Sequence, residues 1–461
     1  MGRRRLTRKA KNPTRQPDGN SLINRLPREV LAEIFVQCLP EVGLWPRIEG
    51  RAISKNIAPL LLCNVCSPWR SLAHSIPTLW QTLLLQLTKA KQTKVDEFIA
   101  LTHKWIERSG VLPLTLRLEA CLSSGHAGDL GGFQTIITAL LWGLSHYSSR
   151  WQHVDICILT CPPIIFPQLR HMPCLRSFSV NAKDFSGVQL PLSCPQLTGI
   201  SWPFLCTISS APSLPWHQLT RIAFGKAISS PEMLLILGSS PKLTDVQIAL
   251  DDVPNEPLPC EMVVVSNTLR KLQLRVYHTC GPLLEMLTLP AVTDISIDFH
   301  CESAPPLRDV HKELLRFFSR SKCKLDRLEL GDWSFDDAAF LKCLEHHACA
   351  SLTKLGVLNS YPAPIFTDTV LVALMDSPEG KDNILLPDLA HLWLQMCFDG
   401  APGILGMMIM SRCVLWDKDD QLQSLDLRFA QLDKRDFLYI RLAEEQGLKV
   451  KLTRGIEIYT L

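Results

Sequence analysis

From residue 175 onward, one short pattern of apolar and polar positions keeps returning along the chain. Its form is apolar-x-x-apolar-x-apolar, as in Leu175–Val180, Leu219–Phe224, Leu243–Ile248, Leu269–Leu274 and Val292–Ile297, with a shortened copy at Leu197–Ile200. Later copies are Leu325–Leu330, Leu352–Val357, Leu389–Leu394 and Leu422–Leu427. The first five intervals are 22, 22, 24, 26 and 23 residues, and the later ones run between 27 and 37. Alternation with period two predicts a half-buried strand in each copy. Each interval leaves room for one strand and a helix or loop that returns the chain to the next.

A strand phrase at this period is similar to the leucine-rich-repeat signature. In such an array the apolar positions of each copy stack on those of its neighbours, building a core that no single copy could bury. The usual Asn after the strand is missing, so irregular repeats are expected. The longer late intervals have room for helices at Val310–Phe318, Asp336–His347 and Asp368–Met375.

Upstream, Val95, Phe98, Ile99, Thr102, Trp105 and Ile106 predict a helix that stops at Ser109-Gly110. Strands are predicted at Leu112–Leu118 and Ser148–Ile156, with a buried helix over Phe133–His146 between them. Further upstream, Pro27 suits a first helical position and Glu29 favours the positive helix end. Val30, Leu31, Ile34, Phe35, Cys38 and Leu39 then recur at three- and four-residue steps, giving one wide apolar face. A second helix can start at Pro59. A third can start at Pro68 with Ser67 as N-cap, carrying Trp69, Leu72, Ala73 and Ile76 on one side. Helices this small cannot hide so much apolar surface alone, so part of the face should need a partner.

The order Leu26-Pro27-x-Glu29-x-Leu31-x-x-Ile34-Phe35, then Val65-Cys66-x-x-Trp69-Arg70, then Pro77-x-Leu79-Trp80 closely resembles an F-box. The Pro-x-Leu-Trp tail and the sequence after it are similar to the large fungal (basidiomycete-type) F-box family. The match covers about 60 of the 461 residues and extends weakly to residue 156 through Trp105–Leu114 and Ser148–Val154. Two departures are a long insert at residues 41–57 and Pro68, where many members carry a basic residue. The expected fold is therefore α/β: an N-terminal three-helix F-box, then an irregular leucine-rich-repeat solenoid of parallel strands with helices or loops outside. The expected divisions are a disordered basic tail at 1–20, the F-box at 21–87, linking helices and a first strand at 88–147, and the solenoid at 148–461.

The resemblance implies docking onto a Skp-family adaptor and, through it, a cullin–RING ubiquitin ligase. Leu26, Pro27, Glu29, Leu31, Ile34, Phe35, Leu60, Val65, Cys66 and Trp69 are the implied adaptor contacts, some of them shared with the unit's own small core. The chain would be the substrate-recognition subunit, contributing effective concentration and orientation and no bond-making group. The alternative is an adaptor-bound scaffold or assembly protein with no ubiquitination substrate.

Charge refines this picture. The seven basic residues among 1–15 come without an acid, and subtracting them from the net +3 leaves the rest at −4. A basic nucleic-acid-binding fold is not indicated. The tail reads as a solubilising terminus or a nuclear-import address. No run approaches the roughly 20 apolar residues of a membrane span, and no signal peptide is visible. Seventeen scattered cysteines then read as reduced thiols in cytosol or nucleus.

Catalytic and metal chemistry find little footing. Cys63-x-x-Cys66 has no second pair at zinc-finger distance, and Cys343-x-x-His346-His347-x-Cys349 fits a repeat helix better than a ligand set. Gly128–Gly132 lacks the strand and Lys of a phosphate loop. No enzyme activity, metal or cofactor is expected. The client, an unidentified protein, is expected on the concave side, where the residues flanking each inner apolar position face. These are Lys271, Gln273 and Arg275; Asp294, Ser296 and Asp298; Arg327 and Glu329; His391 and Gln395; and Ser424, Asp426 and Arg428. Their mixed charge suits a folded surface or unmodified peptide better than a phosphate.

Overall fold

The computed structural model describes residues 22–44, 53–87, 95–120, 130–158, 169, 171–182, 193–202, 214–252, 263–300, 310–332, 336–360, 365–375, 385–398, 400–414, 422–429 and 432–454. Residues 1–20, with the basic tail, lie outside them.

Three helices come first: α1 (Arg28–Gln37), α2 (Leu60–Val65) and α3 (Ser67–Ser75). Pro27 sits at the N-cap of α1 and not at its first helical position, which Arg28 takes. Cys66 caps α3, which moves Ser67 from cap to first residue and places Pro68 in the first turn, where its missing N–H removes no helix bond. A 3-10 turn at Pro77–Trp80 leads into β1 (Thr82–Leu87).

The chain then alternates. α4 (Val95–Arg108), β2 (Leu114–Ala120), α5 (Leu130–Ser145), β3 (Trp151–Ile158), β4 (Ser177–Ala182), β5 (Gly199–Trp202) and β6 (Arg221–Phe224) follow. Next are α6 (Ser230–Ser239), β7 (Asp245–Leu250), β8 (Val264–Val265), β9 (Lys271–Val276), α7 (Gly281–Met286), β10 (Leu287–Thr288), β11 (Asp294–Phe299) and α8 (Val310–Ser321). The last stretch holds β12 (Arg327–Gly331), α9 (Asp337–Leu344), β13 (Lys354–Leu358), α10 (Asp368–Leu374), β14 (His391–Gln395), α11 (Ile404–Val414), β15 (Ser424–Phe429), α12 (Lys434–Glu445) and β16 (Lys449–Arg454).

Apart from the short β8–β10 pair, the strands form one 14-stranded sheet in chain order, and every neighbouring pair in it is parallel. The result is an α/β, solenoid-like arrangement. One apolar ladder crosses all of it: Leu83, Leu116, Val154, Phe178, Ile200, Ile222 and Val246, then Leu272, Ile295, Leu328, Leu355, Leu392, Leu425 and Val450 stand in register. All but Val450, on the edge strand, are buried. Register is thus pinned by burial, because a slip of one residue would turn this row to the other face. In the early copies the Thr before each strand adds a rung: the Thr220 and Thr244 hydroxyls donate to the carbonyls of Thr198 and Thr220 at 3.0 Å.

Helix ends are set locally. Ser229 and Glu232 form a capping box on α6, Asp336 accepts from the Ala339 N–H at 2.7 Å, and Asp433 from the Arg435 N–H at 2.8 Å.

β1 lies within residues assigned to the helical unit, and β2 within the linking region, yet both are strands of the one sheet, which begins at Thr82. A single buried core runs from Leu31 and Phe35 through Trp80, Leu83 and Trp105 to Leu448. The N-terminal helices are therefore packed into the same interior as the sheet.

Candidate functional site

Two surfaces hold the candidate residues, and they are built in opposite ways. The first lies on the N-terminal helices. Leu31 and Phe35 point inward from α1, with the Phe35 ring centre 4.9 Å from that of Trp69 on α3. Trp80 is fully buried, packs edge-on against Trp105 of α4 at 4.7 Å, and donates its indole N–H to the Ala73 carbonyl at 2.8 Å. The Arg108 guanidinium lies 4.6 Å from the Trp80 ring centre, and Arg70 donates to the Cys63 carbonyl at 2.8 Å. These contacts hold the helices on β1 and α4.

What they leave outside is apolar. Leu26, just before α1, and Val30 and Ile34 on its outer side follow one another at four-residue steps, and Leu61 and Val65 do the same on α2; all five are between 38% and 55% exposed. Such rows are the residues of a helix that a second body would cover.

The implied adaptor contacts therefore divide. Leu26, Pro27, Glu29, Ile34 and Val65 are exposed, and Leu60, Cys66 and Trp69 half-buried. Leu31 and Phe35 are interior, so they shape the surface without reaching it. Val30 and Leu61 belong to the outer rows and were absent from the expected contacts. Their signal was the four-residue spacing to Leu26 and Val65.

The second surface is the sheet face turned away from the apolar ladder. Register places the expected client residues in three transverse rows. One runs Lys271, Asp294, Arg327, Lys354, His391, Ser424 and Lys449; a second Gln273, Ser296, Glu329, Gly356, Trp393, Asp426 and Lys451; a third Arg275, Asp298, Gly331, Leu358, Gln395, Arg428 and Thr453. On β3 and β4 this face is closed, with Asp155, Cys157, Ser177 and Ser179 all buried. It opens from β7 onward, where Gln247, Lys271 and Gln273 are exposed, and stays mostly half-buried on β11 to β14.

Several charges on this face are paired. Arg327 pairs with Glu329, Lys354 with Asp326 at 2.9 Å, and Lys451 with Asp426 at 2.9 Å. Burial pushes the Asp326 carboxyl up, but hydrogen bonds from Lys354 and Thr353 outweigh it and hold the group below the usual carboxylate range. Trp393, which the sequence reading passed over, stands mid-row. Its ring lies parallel to His391 with centres 6.1 Å apart, and the Arg327 guanidinium is 5.4 Å from its centre. Burial, with Lys354 nearby, pushes His391 down, favouring the neutral ring, whose Nδ1 is 2.7 Å from the Ser424 hydroxyl.

Of the Cys/His group at the end of α9, Cys343 and Cys349 are buried, His346 is half-buried and His347 is exposed. Burial pushes the Cys343 and Cys349 thiols up to about 12, away from the thiolate that binds metal. His346 accepts from the Ala348 N–H and lies 3.0 Å from the Ser319 hydroxyl, so both its nitrogens are engaged. Among the described residues no helix is long and apolar enough to cross a membrane. No family model matches the chain, and no curated protein matches it.

Proposed function

We propose that this chain is a substrate-recognition subunit of a Skp–cullin–F-box-type ubiquitin ligase, docking a Skp-family adaptor with its N-terminal helices and holding a protein client on the open sheet face. The observation that carries the reading is the pair of exposed apolar rows, Leu26/Val30/Ile34 and Leu61/Val65, on helices whose sequence resembles an F-box. Covering such part-exposed side chains is worth on the order of 1 kcal/mol apiece, enough for a specific complex once several act together. The open rows supply what a folded client surface needs: an aromatic anchor in Trp393 and charges of both signs around it.

The test is co-purification. Replacing Leu26 and Pro27 with Ala should abolish capture of the adaptor, whereas replacing Arg275, Arg327 and Arg428 with Glu should spare the adaptor and lose other partners. Clients should accumulate on the wild-type chain when the proteasome is inhibited. Undiminished adaptor capture by the first variant defeats the adaptor reading; full retention of every partner by the second moves the client elsewhere.

A further inference from the structure

At the carboxyl ends of β11 and β12, three side chains of the right kinds converge. Asp298 is near the end of β11, His300 follows two residues later, and Asp332 follows β12 directly. One potential ligand atom from each lies within 4.8 Å of the others. We propose that Asp298, His300 and Asp332 form a binding site for a divalent transition-metal ion, with the carboxylates and the imidazole as its protein ligands.

Several independent features shape the cluster for this. Gly331 stands beside Asp298 in register, and a Cβ there would lie 2.3 Å from Oδ1 of Asp298. The missing side chain is the space the carboxylate occupies, so Asp298 can turn toward the end of β12. Asp332 has φ +47, the left-handed backbone that Asp tolerates better than most residues. Its carboxylate is fixed from behind by the Ser360 N–H and by the Ser360 hydroxyl at 2.6 Å. The His300 ring packs edge-on against Tyr277 with centres 6.1 Å apart, and its Nδ1 is 3.6 Å from Asp298 Oδ2. His300 pairs with Asp298, and Asp332, held by Ser360, completes a set of three that one ion could bridge.

Arg275, facing Asp298 across the β9–β11 register, offsets part of the negative charge. The net charge that remains is negative and favours a cation. One nitrogen and two oxygen donors suit manganese, iron, cobalt or zinc better than calcium or magnesium, which prefer oxygen alone. Three protein ligands leave positions open for water or an added carboxylate or phosphate.

The experiment is a titration of the metal-stripped full chain with Mn2+, followed by the loss of the free ion's paramagnetic resonance signal. Manganese is chosen because the thiols of this cysteine-rich chain bind it poorly. The wild type should take up about one ion per chain, displaced by zinc, which binds nitrogen and oxygen sites more tightly. His300→Gln and the isosteric Asp298→Asn should each weaken uptake at least about tenfold, while Asp326→Asn on the open face should not change it. A signal from free Mn2+ that is unaltered by the wild-type chain overturns the proposal. So does equal uptake by the wild type, His300→Gln and Asp298→Asn.

Discussion

The N-terminal helices and the sheet solve the same packing problem with different remainders. In the sheet, each strand sends alternate residues to the ladder, and the other face of the later strands carries mostly polar side chains, several of them paired: Arg327 with Glu329, Lys354 with Asp326 and Lys451 with Asp426. On α1 and α2 the inward residues, Leu31, Phe35, Leu62 and Cys63, are matched by outward residues that are just as apolar. Exposed apolar side chains occur elsewhere, notably Phe437, Leu438 and Leu442 of α12, but there Arg441 lies over the Phe437 ring, 5.2 Å from its centre. A polar surface whose charges are partly paired already gains from a partner through added contacts. A surface of bare aliphatic rows gains by being covered at all.

That contrast can be broken first at α1 itself. Phe35→Ala should cost about 3–5 kcal/mol, because Phe35 belongs to the core shared with the sheet. Its neighbour Ile34→Asp should change stability by no more than about 0.5 kcal/mol. Chemical denaturation of both variants decides it; equal losses would mean that the outer row is structural.

A smaller effect is expected at the far end. Gly406 on α11 faces Tyr439 on α12, and a Cβ there would come within 2.6 Å of the Tyr439 Cβ. Gly406→Ala should therefore cost about 1–3 kcal/mol by overpacking, visible as a lowered denaturation midpoint with adaptor binding intact.

Acid should act more gently, and on both regions. His74, His153, His346 and His391 are all pushed below the ordinary histidine value of 6.5, mainly by burial. The unfolded chain then binds protons that the folded chain resists, so stability is in place above pH 6.5 and is lost as pH falls through the depressed values. Melting temperatures from pH 7.5 down to 5 should decline, and His153→Gln should flatten part of that decline. A curve that rises toward pH 5 would contradict the assignment.

Much of the sheet was legible because its signal repeats. All ten apolar-x-x-apolar-x-apolar phrases contain a strand of the sheet, beginning two residues into the phrase. The helices of the late intervals also fall where spacing places them. β1 was missed because Thr82–Leu87 is nearly continuous in apolar residues, without the alternation that marks a half-buried strand. β16 was missed for the opposite reason: Lys449–Arg454 is an edge strand of mostly polar residues, with Val450 and Leu452 only half-buried. The N-terminal face was legible as apolar but not as inside or outside. Leu31 and Ile34 look equivalent in the sequence, and only the position of Trp69, Trp80 and Trp105 decides which of them is buried. The Asp298/His300/Asp332 cluster was legible only as the local pair Asp298-x-His300, since Asp332 follows the next strand of the sheet and only the register brings it to them.

The most direct test of the docking face is calorimetric titration of the full chain with a purified Skp-family adaptor, comparing wild type, Ile34→Asp and Lys271→Glu. The wild type and Lys271→Glu should bind alike, and Ile34→Asp should bind at least about 30-fold more weakly, the loss of one interface hot spot. No heat of binding from the wild type, or equal affinity for Ile34→Asp, would contradict the account.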